Sequence, residues 1–214
     1  IPGISDDISM KKVWNMMAEL NAVTLPIVDE EDRLDGIITI NDIATSYMEN
    51  QDSTIIAQAK TPYRNILETL EAEMVVGDPE AVFERGNVLI SAADPDVMED
   101  YIHQDDMVIT GNRYESQLSA IESGAGCIVV CLGAPVSRSI RKLANEHSCT
   151  VIITPLDTYT VARRINQCMP VRAFMRREGL IKFLPGDYTD SIKDSMQNTR
   201  IRDFPVVDKT GHYI

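Results

Sequence analysis

Thr39 and Asp42 are the residues of this 214-residue chain whose types and spacing most directly suggest ligand chemistry. They close the stretch Gly36-Ile37-Ile38-Thr39-Ile40-Asn41-Asp42, where a strand of β-branched residues gives way to a helix. At such a junction, free N–H groups and a threonine hydroxyl face a phosphate, while a carboxylate one turn on accepts from two ribose hydroxyls. A nucleoside monophosphate suits that geometry. The same residue types cap helices routinely, so Thr39, Asn41 or Asp42 serving only the helix from Ile40 to Met48 is the competing reading.

Other constellations offer less. Gly124-Ala125-Gly126 precedes a strand instead of following one, which makes it a turn and not a dinucleotide fingerprint. The loop Gly133 to Ser139 does follow a strand and open a helix; Ser137 or Ser139 capping that helix competes with an anion held beside Arg138. Cys127 and Cys131 point to one face of a strand, and His103 and His147 stand at no zinc-ligand spacing, so the thiols read as small buried hydrophobes. With three histidines, no G-x-S-x-G and no G-x-x-x-x-G-K-[ST], nothing resembles a hydrolase or phosphoryl-transfer centre. The run Asp29-Glu30-Glu31-Asp32 reads as a solvated turn.

Charge and hydropathy narrow the class further. Acidic residues number 33 against 20 basic ones, a formal net charge of −13 that repels nucleic acid and anionic membrane surfaces. The longest nearly apolar run, Cys127 to Val136, falls short of the roughly 18–20 residues that span a bilayer. Four cysteines clustered in apolar segments fit reduced thiols and a cytoplasmic protein. The chain opens at Ile1 without a leader pattern, so a fragment of a longer protein is expected.

The elements that would position Thr39 and Asp42 recur. Met17 followed by Leu25-Pro26-Ile27-Val28-Asp29 returns as Met196 followed by Phe204-Pro205-Val206-Val207-Asp208, with the same spacing from Met to Pro, and Val13 matches Ile192. In each copy an amphipathic helix feeds a short β-branched strand through a proline. The copies lie 179 residues apart, leaving room for a domain between them. Within Ser53 to Gln167, strands are predicted at Asn87 to Ala92, Met107 to Thr110, Cys127 to Leu132 and Thr150 to Thr154. Helices are predicted at Tyr63 to Leu70, Pro95 to Ile102, Arg113 to Glu122, Ser137 to His147 and Thr158 to Gln167, and this alternation predicts a parallel α/β sheet.

The repeated helix, h-P-V-V-D strand and G-h-x-T-x-x-D element resemble the CBS motif, which works in pairs as a Bateman module. The insert resembles a DRTGG domain, with Asn112-Arg113 and Leu132-Gly133-Ala134 at its signature positions. The expected fold is therefore mixed α/β and α+β. Residues 1–52 form the first CBS motif, 53–167 the DRTGG-like insert, and 168–214 a second CBS motif, whose counterpart of Gly36 would fall at position 215. This order of parts resembles the regulatory region of a subgroup of family II inorganic pyrophosphatases.

That resemblance implies adenine-nucleotide binding through Gly36, Thr39, Asn41 and Asp42, with backbone groups of Ala22, Val23 and Thr24 against the adenine. In the second copy it directs attention to Lys182, Arg202, His212 and Tyr213, a cation-and-aromatic set suited to a phosphorylated purine. It further implies inhibition by AMP or ADP, activation by ATP or diadenosine polyphosphates, and a homodimer through the CBS and DRTGG parts. Manganese or cobalt would belong to catalytic domains of the same polypeptide outside this chain, since no D-H-H metal motif occurs here. The competing readings are a structural dimerisation module without ligand, and a nucleotide sensor attached to a transcription factor or transporter.

Overall fold

The computed structural model describes residues 1–49, 52–199 and 203–214. The chain divides into two compact units, one formed by residues 1–49 with 171–214 and the other by residues 50–170.

The first unit begins with strand β1 (Ile4–Ser5) and helix α1 (Met10–Leu20). Ser9 starts that helix by accepting from the Lys12 N–H at 3.2 Å, and Asn21 ends it in the left-handed region at φ 48°. Met10, Val13 and Met17 recur at helical spacing and are all buried, so α1 is held by one apolar face. Strands β2 (Thr24–Val28) and β3 (Leu34–Thr39) form an antiparallel hairpin with β1 parallel to β2, and helix α2 (Ile40–Glu49) follows without a break.

The second copy reproduces the entry strand, the helix (Thr189–Thr199, matching Met10–Leu20) and the following turn at the offset of 179 residues. Phe183 bridges Val206 in parallel as Ile4 pairs with Ile27. The turn after β2 is repeated bond for bond. Asp29 N–H donates to the Arg33 carbonyl at 3.0 Å, and Asp208 N–H to the His212 carbonyl at 2.9 Å. The Asp29 carboxylate accepts from the Glu31 and Arg33 N–H groups, as that of Asp208 does from Thr210 and His212. Asp32 and Gly211 take the same left-handed position, at φ 58° and 92°. The acidic run is thus more than a solvated turn, because Asp29 organises its backbone. The two turns also pair with each other: Leu34 N–H reaches the Gly211 carbonyl at 3.1 Å and Tyr213 N–H the Asp32 carbonyl at 2.9 Å.

The second unit contains α3 (Ile55–Gln58), β4 (Thr61–Pro62), α4 (Tyr63–Leu70), β5 (Glu73–Val76), β6 (Val82–Phe83), β7 (Val88–Ile90) and α5 (Pro95–Met98). It continues through β8 (Met107–Thr110), α6 (Tyr114–Glu122), β9 (Cys127–Val130), α7 (Arg138–Glu146), β10 (Thr150–Ile153) and α8 (Thr158–Arg164). Strands β7 to β10 are parallel and lie in sequence order, as the strand-helix alternation predicts. The sheet is nevertheless mixed, because β5 joins β10 antiparallel at the edge, and the helix expected at Pro95 to Ile102 is helical only to Met98. Met98, Ala120, Ile121, Ile140 and Ala144 pack together on Val108, Ile128, Val130 and Val151, which puts the three crossover helices on one face. All four cysteines are buried free thiols.

Candidate functional site

The first unit carries an open cleft of about 290 Å³ lined by Ile1, Thr24, Pro26, Ile37, Asp203, Phe204, Pro205 and Tyr213. Its walls are repeat-related: Thr24 and Pro26 in one copy correspond to Asp203 and Pro205 in the other. The Thr24 hydroxyl lies 3.5 Å from Asp203 Oδ2 across the cleft. Strand alternation explains which side of the hairpin faces it. Thr24 pairs with Thr39 and Pro26 with Ile37, so these four side chains share one face, and three of them line the cleft directly. Thr39 therefore stands beside Thr24 at the rim.

Thr39 and Asp42 form a reciprocal cap on α2. Asp42 N–H donates to Thr39 Oγ1 at 3.2 Å, while Asp42 Oδ2 accepts from the Thr39 N–H at 2.9 Å and from its hydroxyl at 2.7 Å. The other carboxylate oxygen, Oδ1, accepts from Nε and Nη2 of Arg176 at 2.9 and 2.7 Å. Arg176 reaches it because its backbone pairs with Ile37 in both directions, at 3.0 and 2.9 Å. Gly36 permits that approach: a Cβ there would meet the Arg176 carbonyl oxygen at 2.8 Å. The neighbouring Arg177 is tied to Asp35 and Asp6.

The remaining predicted residues fall around this arrangement. Val23 is exposed and its carbonyl accepts from the Ile40 N–H at 3.0 Å, fixing the start of α2; Ala22 is half-buried beside it and Asn41 is exposed on the first turn. Lys182 is exposed next to Phe183, whose ring meets Phe204 edge-on at 5.3 Å. His212 is drawn into the second turn, with Nδ1 2.6 Å from the Thr210 hydroxyl and 3.2 Å from Asp208. The Thr210 hydroxyl and the backbone N–H groups around it hold the Asp208 carboxyl well below its ordinary value. Tyr213 lines the cleft, donates to the Ile1 carbonyl at 3.0 Å, and has its hydroxyl pushed up by burial. Arg202 lies outside the described residues.

Thr24 and Tyr213 thus line the cleft, and Thr39, hydrogen-bonded to Asp42, stands beside Thr24 on the hairpin. Asp203 and Phe204 were legible through the repeat offset, which carries Thr24 and Leu25 onto them, whereas Arg176 leaves no such signal. Among the described residues, no three His, Cys, Asp or Glu side chains converge to hold a metal ion. None of the described helices is long and apolar enough to cross a membrane.

Two families match: the CBS domain over residues 1–49 and the DRTGG domain over residues 65–168. The chain is 31% identical over its whole length to the cobalt-dependent inorganic pyrophosphatase of Clostridium perfringens, covering 39% of that protein. It is 25% identical over 97% of its length to a probable manganese-dependent inorganic pyrophosphatase of Thermotoga maritima, of which it covers 38%. It therefore spans about two fifths of these relatives. The crystal structure of the CBS and DRTGG domains from the regulatory region of the Clostridium perfringens pyrophosphatase, complexed with the activator diadenosine tetraphosphate, superposes with a TM-score of 0.95 at 32% identity. That match covers 100% of this chain and 93% of the other.

Proposed function

We infer the function from the family to which the chain belongs, the CBS and DRTGG regulatory regions: it is the adenine-nucleotide-sensing part of an inorganic pyrophosphatase. The observation that carries this reading is the cleft between the two CBS copies, lined by repeat-related residues, in a chain so similar to a region crystallised with diadenosine tetraphosphate. The adenine lies against the backbone of Ala22, Val23 and Thr24, with Pro26, Phe204 and Tyr213 as apolar and aromatic walls. The ribose addresses Asp42, and the phosphate meets Thr39, Asn41 and the N-terminus of α2. Lys182, Arg202 and His212 border the second half of the module.

AMP and ADP inhibit and ATP or diadenosine polyphosphates activate, by differing in affinity for two arrangements of the CBS copies; a ligand with equal affinity for both shifts nothing. Diphosphate hydrolysis, and the manganese or cobalt it uses, reside in catalytic domains of the same polypeptide that this chain does not span. The protein works in the cytoplasm, and as a homodimer, the exposed Trp14, Leu20, Tyr47 and Met48 on α1 and α2 supporting the dimer.

Thermal unfolding of the chain with AMP, ADP, ATP, diadenosine tetraphosphate and GMP tests the reading. At about 100 times Kd, an adenine nucleotide is expected to stabilise by about 2.7 kcal/mol. No response to any ligand, or an equal one to GMP, refutes the proposed role.

A further inference from the structure

We propose that Arg176 selects phosphorylated ligands at the Thr39–Asp42 site, by exchanging the Asp42 carboxylate for a ligand phosphate; this rests on the nucleotide-binding reading above. The G-h-x-T-x-x-D element supplies a hydroxyl, backbone N–H groups and a carboxylate, but no cation. A phosphate approaching it enters a chain of net charge −13 and meets Asp42 beside Thr39, with Asp203 beside the paired Thr24. Arg176 supplies the missing charge from outside the element, ahead of the strand at Phe183 that opens the second copy.

Its geometry is that of a residue shared between two anions. Pairing with Ile37 places the Arg176 side chain on the face that carries Ile37 and Thr39. Nε and Nη2 converge on the single oxygen Asp42 Oδ1, which leaves the Nη1 edge of the fork for another acceptor, and the side chain is 52% exposed. A ribose hydroxyl that donates to Oδ1 competes directly with the guanidinium, because Oδ2 is already taken by Thr39. A nucleoside must break this pair and offers no replacement. A nucleotide breaks the same pair and returns a phosphate, which a planar guanidinium fork binds in bidentate fashion. The α2 N-terminus, to which Asp42 ties Arg176, adds its N–H groups to that phosphate. Arg177 cannot substitute, since Asp35 and Asp6 hold it.

The test is calorimetric titration of AMP and of adenosine into the wild-type chain, Arg176→Ala and Arg176→Gln, with unfolding midpoints measured to verify folding. The expected result is a preference for AMP over adenosine that falls at least tenfold in both variants, with adenosine binding unchanged or tighter. Both ligands binding the variants with the wild-type ratio would overturn the role of Arg176 and leave the nucleotide site standing. Failure of AMP to bind the wild-type chain would overturn the site itself, and Arg176 with it.

Discussion

Replacing Gly36 by alanine tests how the first half of the site is held together. Gly36 does not need a left-handed backbone, so alanine suits its conformation; what alanine lacks is room. Its Cβ would stand 3.1 Å from Met175 Sδ and 2.8 Å from the Arg176 carbonyl oxygen. The thioether can swing aside, but the carbonyl moves only if the whole segment leaves the edge of β3. That movement strains both Ile37–Arg176 hydrogen bonds, now 3.0 and 2.9 Å, each worth about 1 kcal/mol net. Alanine restricts the unfolded chain more than glycine and returns about 0.4–1 kcal/mol. The net expectation is a loss of about 1–2 kcal/mol, or a factor of about 5 to 30 in the local opening equilibrium. Trp14, the single tryptophan, lies on α1 in the same unit, so its fluorescence reports the relevant transition in urea. Amide exchange at Ile37 and Arg176 should accelerate by the same factor. A variant as stable as wild type, with both amides equally protected, would refute the packing argument.

Three further outcomes are expected. Because the folded Asp208 carboxyl titrates below its unfolded value of 3.8, its contribution to stability is complete above that value and is lost as pH falls. Asp208→Asn should therefore lower the unfolding midpoint at neutral pH, and the gap to wild type should close between about pH 4 and pH 2; a constant gap would contradict the assignment. Ser137→Ala removes the cap that receives the Ile140 N–H at 3.2 Å and should cost about 1 kcal/mol in chemical denaturation of the DRTGG unit. The four thiols should resist a disulfide reagent in the folded chain and all react in denaturant, because burial raises each of them, Cys149 to about 12. Rapid labelling of any thiol under native conditions would count against that burial.

The repeat was legible because it is written twice in residue types: the helix, the proline and the aspartate of each turn recur at one offset, and the structure repeats their bonds. The parallel core was legible because β8, β9 and β10 are short runs buried on both faces, as the strand-helix alternation requires. Strand β5 was not, since Glu73–Val76 is an edge strand with one buried residue in four, which leaves little hydrophobic pattern to read. The helix at Pro95 begins with a favourable proline but closes after four residues, a boundary that local propensity does not fix. Arg176 escaped for a different reason. Its partners Ile37 and Asp42 are more than 130 residues away in sequence, and nothing in the segment around it marks the backbone pairing that delivers its side chain.

What the repeat does not copy matters as much as what it does. A cleft between two identical copies would present the same groups from both sides and leave a ligand free to bind in either of two orientations. Here the equivalent positions differ: Thr24 faces Asp203, Arg33 pairs with His212, and Leu34 corresponds to Tyr213. One side therefore offers a hydroxyl and the other a carboxylate, one turn a guanidinium and the other an imidazole. The nucleotide proposed for this cleft, with a flat base at one end and charge at the other, would meet unlike groups from the two copies. Arg176, paired with Asp42 beside Thr39, adds to that asymmetry from the side of the first copy. Such a ligand would shift the copies only so far as its affinity differs between two arrangements of them.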